Sequence, residues 1–227
     1  MTLLSPYESA LGERIHRLHP VAQRYFSAIP AGCVGVGEGV FEEFGTPRRW
    51  LRPLLRPLER RGVLVAGYVR DVPFRIENRT VAVPEGGGSG VGTVGAAVAR
   101  RTIDLPTGPW ETRDSVIASG GGVLERLGAP WTVSTLFEVG IDGSADADGD
   151  GDGALTLVSR RVGLVIGRLR VRIPRFIAPV VRLREGYDEA SGMQRVEVTM
   201  DLPFIGRIYG YRGGFSYRIE EARDDRD

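Results

Sequence analysis

Two carboxylates stand out by the company they keep. In Val123-Leu-Glu125-Arg-Leu127, Glu125 shares a period-two face with Val123 and Leu127. In Val181-Arg-Leu183-Arg-Glu185-Gly-Tyr187, Glu185 shares a face with Val181, Leu183 and Tyr187. Side chains alternate across a strand, so if those apolar faces point inward the acids go with them. A buried carboxyl without a partner is costly and tends to keep its proton. General acid–base chemistry uses groups in that state. The same residues also fit an architectural role, each Glu paired with an inward arginine. Both readings stand on the residues alone.

A second candidate constellation is aromatic. Tyr209, Tyr211, Phe215, Tyr217 and Ile219 fall on one face of a strand pattern, with Arg212 and Arg218 on the other. Trp131 and Phe137 belong to the longest clean alternation, Trp131 to Ile141. Concave binding sites combine apolar walls with a few polar groups. On that ground the candidate ligand-binding set is Trp131, Phe137, Glu185, Tyr187, Tyr209, Tyr211 and Arg212. The aromatic face also fits a filled core.

Other motifs weigh less. Asp146-x-Asp148-x-Asp150-Gly151 matches the opening of an EF-hand calcium loop, but the position that must supply a bidentate Glu is Leu157. A Gly/Asp repeat equally makes a self-repelling loop between strands. The glycine clusters at 86–92 and 119–122 read as turns, because a chain without lysine cannot supply the Gly-Lys-Ser/Thr of a phosphate-binding loop. His16 and His19 are the only histidines, and no third ligand is spaced near them, so neither a metal site nor a His-centred triad is expected. The single cysteine, Cys33, lies in a Val/Gly alternation and reads as a small core residue. No cofactor is expected.

Composition narrows the class further. The 227 residues suffice for one large β domain, and 42% hydrophobic with 26% charged residues is ordinary globular material. A formal net charge of +1 sets up no field for nucleic acid. Every basic residue is arginine, which with abundant Gly, Ala, Val and Asp resembles the coding bias of a GC-rich bacterial genome. The first residues lack a basic region followed by an apolar run, and no uncharged apolar stretch reaches the ~20 residues of a membrane span. A cytoplasmic protein is the expectation.

The elements that must position these residues follow from pattern. Tyr7, Leu11, Ile15 and Leu18 recur at helical spacing behind a Ser5 N-cap and Pro6. A second helix is predicted over Val21 to Ser27, with Val21, Tyr25 and Ala28 inward. Ala31 to Phe41 reads as a Gly-rich strand. Thr46-Pro47 opens a helical segment with Trp50, Leu51, Leu54, Leu55 and Leu58 apolar, interrupted by Pro53 and Pro57. It fits a kinked lid over a sheet, or a basic amphipathic element on an anionic membrane. From Val63 onward, alternating runs separated by Gly-rich turns predict an antiparallel sheet curled into a barrel or half-barrel. The face of Asp114, Val116 and Ala118 is left undecided by the pattern.

The C-terminal stretch carries a resemblance. Ile173-Pro-Arg-Phe-Ile-Ala-Pro179, the Arg184-Glu185 pair, and Val198-Thr-Met-Asp-Leu-Pro-Phe-Ile-Gly206 running into Tyr211-Arg-Gly-Gly-Phe215 resemble the bacterial family known as domain of unknown function 4166. Leu124-Glu125-Arg126-Leu127-Gly128 is similar to an earlier element of that family, and the Leu11-Gly12 helix fits its start. The residues expected soon after Trp110 do not fall into place, and the Asp/Gly loop looks like an insertion. The resemblance implies no activity and no site residue. Relatives fused to short-chain dehydrogenase-like domains imply a metabolic setting only.

The expected fold is therefore mainly β (α+β), an antiparallel curled sheet or barrel with short N-terminal helices and a helical lid. One domain is expected: residues 1–62 helical with one Gly-rich strand, 63–220 the sheet, 221–227 a disordered tail. The first functional reading is a barrel module binding a small apolar molecule or lipid. The alternatives are a cofactor-independent enzyme (isomerase, cyclase or hydrolase) using Glu125 and Glu185, and a membrane-surface or protein-interaction module.

Overall fold

The computed structural model describes residues 3–84, 92–128, 133–143, 153–166 and 169–222. Trp131 and the Asp146–Asp150 motif lie outside the described residues. The chain opens with α1 (Pro6–Leu11) and α2 (Pro20–Phe26). Strand β1 (Cys33–Gly45) follows, and then α3 (Arg52–Glu59). The remaining strands are β2 (Tyr68–Pro84), β3 (Thr93–Leu105), β4 (Gly108–Ser119), β5 (Gly122–Leu127), β6 (Val133–Asp142), β7 (Ala154–Ile166), β8 (Leu169–Arg172), β9 (Val180–Asp188), β10 (Met193–Leu202) and β11 (Gly206–Glu221).

These strands form one antiparallel sheet in the order β6-β5-β4-β3-β2-β1-β11-β10-β9-β7-β8. A further pairing of β6 with β7, from Val133 with Leu164 to Asp142 with Ala154, closes it. The result is a ten-stranded barrel, with β8 attached outside the ring on β7. Closure removes the unpaired strand edges of an open sheet. The Gly-rich strand sits inside the wall, between β2 and β11, and so belongs to the barrel rather than to a helical prologue.

Glycine on β1 has a packing reason. A side chain at Gly37 would meet the Phe215 ring at 3.2 Å, and one at Gly35 would collide with the Tyr217 ring and hydroxyl. The inner face of β1 is bare so that β11 can turn its aromatic rings inward. Further along, β1 shifts register between Phe41 and Glu43, which places Phe41 and Phe44 in the core. Phe41 stacks on Phe74 with ring centroids 3.8 Å apart.

The helices are held by one acid. The Ser5 hydroxyl accepts from Glu8 N at 3.0 Å, and Ser5 N donates to Glu8 Oε2 at 2.6 Å, a reciprocal cap. Glu8 Oε2 also accepts from Ala28 N, and the Ser5 hydroxyl donates to the Phe26 carbonyl, so the start of α1 is fastened to the end of α2. Leu11, Ile15, Leu18, Ala22 and Phe26 form one core with Val116, Val123, Phe137, Val139, Leu155 and Leu157, and so plug one end of the barrel. On α2 the sealed positions are Ala22 and Phe26, one residue on from the predicted Val21 and Tyr25. Tyr25 instead reaches sideways, edge-on to Phe215 and Tyr217, and Val21 and Ala28 are only half-buried.

At the other end, α3 and the short turn Arg49–Leu51 before it form the predicted kinked lid. Trp110 Nε1 donates to the Glu59 carbonyl at 3.1 Å, and Thr112 donates to the Gly62 carbonyl. Arg48 donates to the carbonyls of Arg207 and Ile205. No helix among the described residues is long and apolar enough to cross a membrane.

Candidate functional site

Between the helical plug and the lid the barrel is hollow. A cavity of about 320 Å³ is lined by side chains from the lid and from most of the wall. Its apolar lining includes Phe41, Phe44, Ile103, Phe137, Leu157, Val162, Leu183 and Val198. The cavity is not sealed, and its half-buried residues Leu55, Leu58, Leu164, Ile173 and Pro179 mark the open end.

One side of this wall is polar. Arg101 on β3 is the register partner of Thr112 on β4, and Glu125 on β5 is the partner of Thr135 on β6. All four side chains line the cavity, forming a polar stripe across four neighbouring strands. Tyr209 and Tyr211 on β11 also line it. The Tyr209 hydroxyl accepts from Val65 N at 3.2 Å, which commits it to the segment after the lid.

Arg101 anchors the stripe. It shares the inner face of β3 with Ile103 and pairs with Asp114, whose side chain is 3% exposed. The guanidinium also borders a smaller cavity of about 50 Å³ beneath the helices, with Tyr7, Tyr25 and Asn78. Its side chain is 25% exposed, and the lining of both cavities shows where that exposure goes. Burial works against its charge, but Tyr211, Tyr25, Glu125 and Tyr7 outweigh that, so its pKa is raised and it stays a cation.

Glu125 is the acid of the stripe. Burial raises its carboxyl above the usual range, and Arg101 pulls only partly against this. Among the described residues, no donor hydrogen-bonds its carboxyl. Glu185 is inward as its phase predicts, but it is placed differently. It is 5% exposed and is sealed against Gln194 rather than lining the large cavity. Burial pushes its carboxyl up to about 7, against the Gln194 hydrogen bond and Arg101.

The other sequence candidates separate. Phe137, Tyr209 and Tyr211 line the cavity. Tyr187 does not; its ring stacks on His19 at 4.4 Å, at the plug end. Arg212 faces outward and pairs with Glu42 and Glu43, as expected of the strand face opposite Tyr211. His19 is structural: its Nδ1 accepts from Val21 N at the start of α2, and its Nε2 meets Glu189 at 3.0 Å. Arg101, Asp114, Thr112 and Thr135 were not singled out by sequence. The signal for Arg101 was its phase, two residues before Ile103.

The family model for the domain of unknown function DUF4166 matches residues 18–215. The chain belongs to the DUF4166 family. No curated protein matches it in sequence. In this DUF4166 chain the matched stretch runs from Leu18 in the plug to Phe215 on β11 and contains the whole polar stripe. The two segments that carried the resemblance, Ile173–Pro179 and Val198–Gly206, both contribute to the cavity lining, through Ile173, Pro179, Val198 and Met200.

Proposed function

We propose that this barrel binds a small, largely apolar molecule that carries one hydrogen-bonding group. The supporting observation is the combination of an apolar cavity with a Glu125 carboxyl on its wall that no described residue hydrogen-bonds. Ligand sites of a few hundred Å³ with apolar walls and few convergent polar groups are the usual form of small-molecule pockets. Glu125 is half-buried and its carboxyl faces the cavity, where a ligand hydroxyl or carbonyl gives it the hydrogen bond that the described residues do not. The test is titration with the neutral apolar fluorophore N-phenyl-1-naphthylamine. Saturable binding is expected, weakened at least about tenfold by Leu183→Trp, which fills the cavity. A folded protein that shows no saturable binding ends this reading, as does unchanged binding by Leu183→Trp.

Glu125 also supports a second reading, a cofactor-independent enzyme that moves a proton on the bound molecule. Its raised pKa and its position on the cavity wall are what a general acid requires. The test is deuterium uptake in heavy water by the small molecule retained on the purified protein. Uptake on the wild type and none on Glu125→Gln supports catalysis. No uptake on either leaves binding alone.

A further inference from the structure

The open end of the barrel is dressed unlike the rest of its surface. Phe204 is fully exposed, and Phe176, Leu54 and Trp50 are 70%, 67% and 55% exposed. They come from three segments that border one opening. Trp50 and Leu54, four apart, face out from the lid whose Leu55 and Leu58 line the cavity. Phe176 lies between the cavity residues Ile173 and Pro179. Phe204 is at the tip of the β10–β11 turn, which the lid residue Arg48 grips through the carbonyls of Ile205 and Arg207.

Phe204 also holds a φ of +66°, a left-handed conformation that disfavours a bulky side chain. A turn that needed only to turn would carry glycine there. The strained backbone instead presents a phenyl ring to the outside.

Charge is segregated around the same opening. Residues 48–61 hold six arginines and one acid, Glu59, and residues 169–175 hold three arginines and no acid. None of these nine arginines forms an ion pair among the described residues. Elsewhere on the barrel surface many arginines are paired, as Arg75 and Arg218 are with Glu38, although Arg79, Arg113, Arg126 and Arg161 form no ion pair among the described residues. The chain carries only +1 overall, so the remainder of the molecule is net acidic.

We propose that this rim docks on a membrane surface bearing anionic lipid, with Trp50, Leu54, Phe176 and Phe204 entering the interface and the surrounding arginines meeting the phosphates. Aromatic rings flanked by guanidiniums are the chemistry of the headgroup region. The inference rests on the cavity reading for its purpose: the opening faces the bilayer, so an apolar molecule passes between lipid and barrel without crossing water.

The experiment is co-sedimentation of the full chain with vesicles of phosphatidylcholine, alone or with about one part in three phosphatidylglycerol. At least about fivefold more protein is expected with the anionic vesicles, and the excess falls as salt rises. Leu54→Ser combined with Phe204→Gly should lose that excess. Phe204→Gly relieves the backbone, so the loss is not one of folding, and the pair should still bind N-phenyl-1-naphthylamine as the wild type does. Absence of sedimentation with anionic vesicles overturns the proposal, and a dimer in solution would then assign the rim to a second copy. Equal sedimentation with neutral vesicles overturns it, as does undiminished sedimentation of the variant. Wild type that binds vesicles but not the fluorophore removes the cavity reading and leaves the docking surface.

Discussion

Gln194 donates its amide Nε2 to the Glu185 carboxyl at 2.7 Å, with both side chains closed off inside the barrel. Among the described residues, the Gln194 Oε1 is buried with no partner. A protonated Glu185 supplies the missing donor, whereas an ionised one does not. The pair is therefore built for the neutral acid.

Stability follows from that pair. Glu185 is raised from 4.5 to about 7 in the folded chain. Below the lower value both folded and unfolded chains hold the proton, and the contribution is complete. As pH rises towards 7 the unfolded chain releases the proton first, and stability is lost. The loss is about 3 kcal/mol, on the order expected for such a shift. Urea midpoints of wild type and Glu185→Gln, taken from pH 4 to 8, should diverge as pH rises, with the variant the more stable at the top. Parallel profiles would contradict a protonated Glu185.

Removing one member of the Arg101–Asp114 pair leaves a buried charge uncompensated. Arg101→Met should cost about 3–5 kcal/mol in chemical unfolding at neutral pH. Arg101→Met with Asp114→Leu should cost less than the sum of the single changes, because the second removes the stranded charge. Additive losses would show that the two side chains do not depend on each other.

Gly35 leaves room for the Tyr217 ring. Gly35→Ala should destabilise by about 1–3 kcal/mol through overpacking. In a Tyr217→Ala background the same change should be close to neutral. An equal penalty in both backgrounds would place the conflict in the backbone instead.

The cap at Ser5 joins two helices rather than one. Ser5→Ala loses the bond from Glu8 N and the bond to the Phe26 carbonyl together. A cost of about 1–2 kcal/mol is expected, at the upper end for a cap, and is readable as a lowered Tm. A loss of a few tenths would mean that Glu8, still bonded to Ala28 N, carries the junction alone.

What was legible in the sequence was what alternation decides locally. The inward phase of Glu125, Glu185, Tyr209 and Tyr211, and the outward phase of Arg212, follow from spacing along single strands. What was not legible depends on neighbours across strands. Glu125 faces the cavity and Glu185 does not, because Gln194 on β10 closes over the second and, among the described residues, nothing comparable closes over the first. Arg101 sits in an Arg-Arg doublet that looks solvated, and its partner Asp114 was in the run whose face stayed undecided. Only the β3–β4 register brings the two together. On α2 the burial moved by one residue, since Tyr25 is drawn to the aromatic rings that the bare face of β1 admits.

The pairing of β1 with β11, from Cys33 with Glu221 to Gly45 with Gly210, has a consequence in time. A strand made early waits for a partner far along the chain. The apolar lining stays uncovered until β11 has been made and has paired with β1. Contacts this distant in sequence fold slowly. The period between emergence from the ribosome and closure is then the chain's most vulnerable, and a chaperone holding the nascent barrel would act on the surface that later lines the cavity.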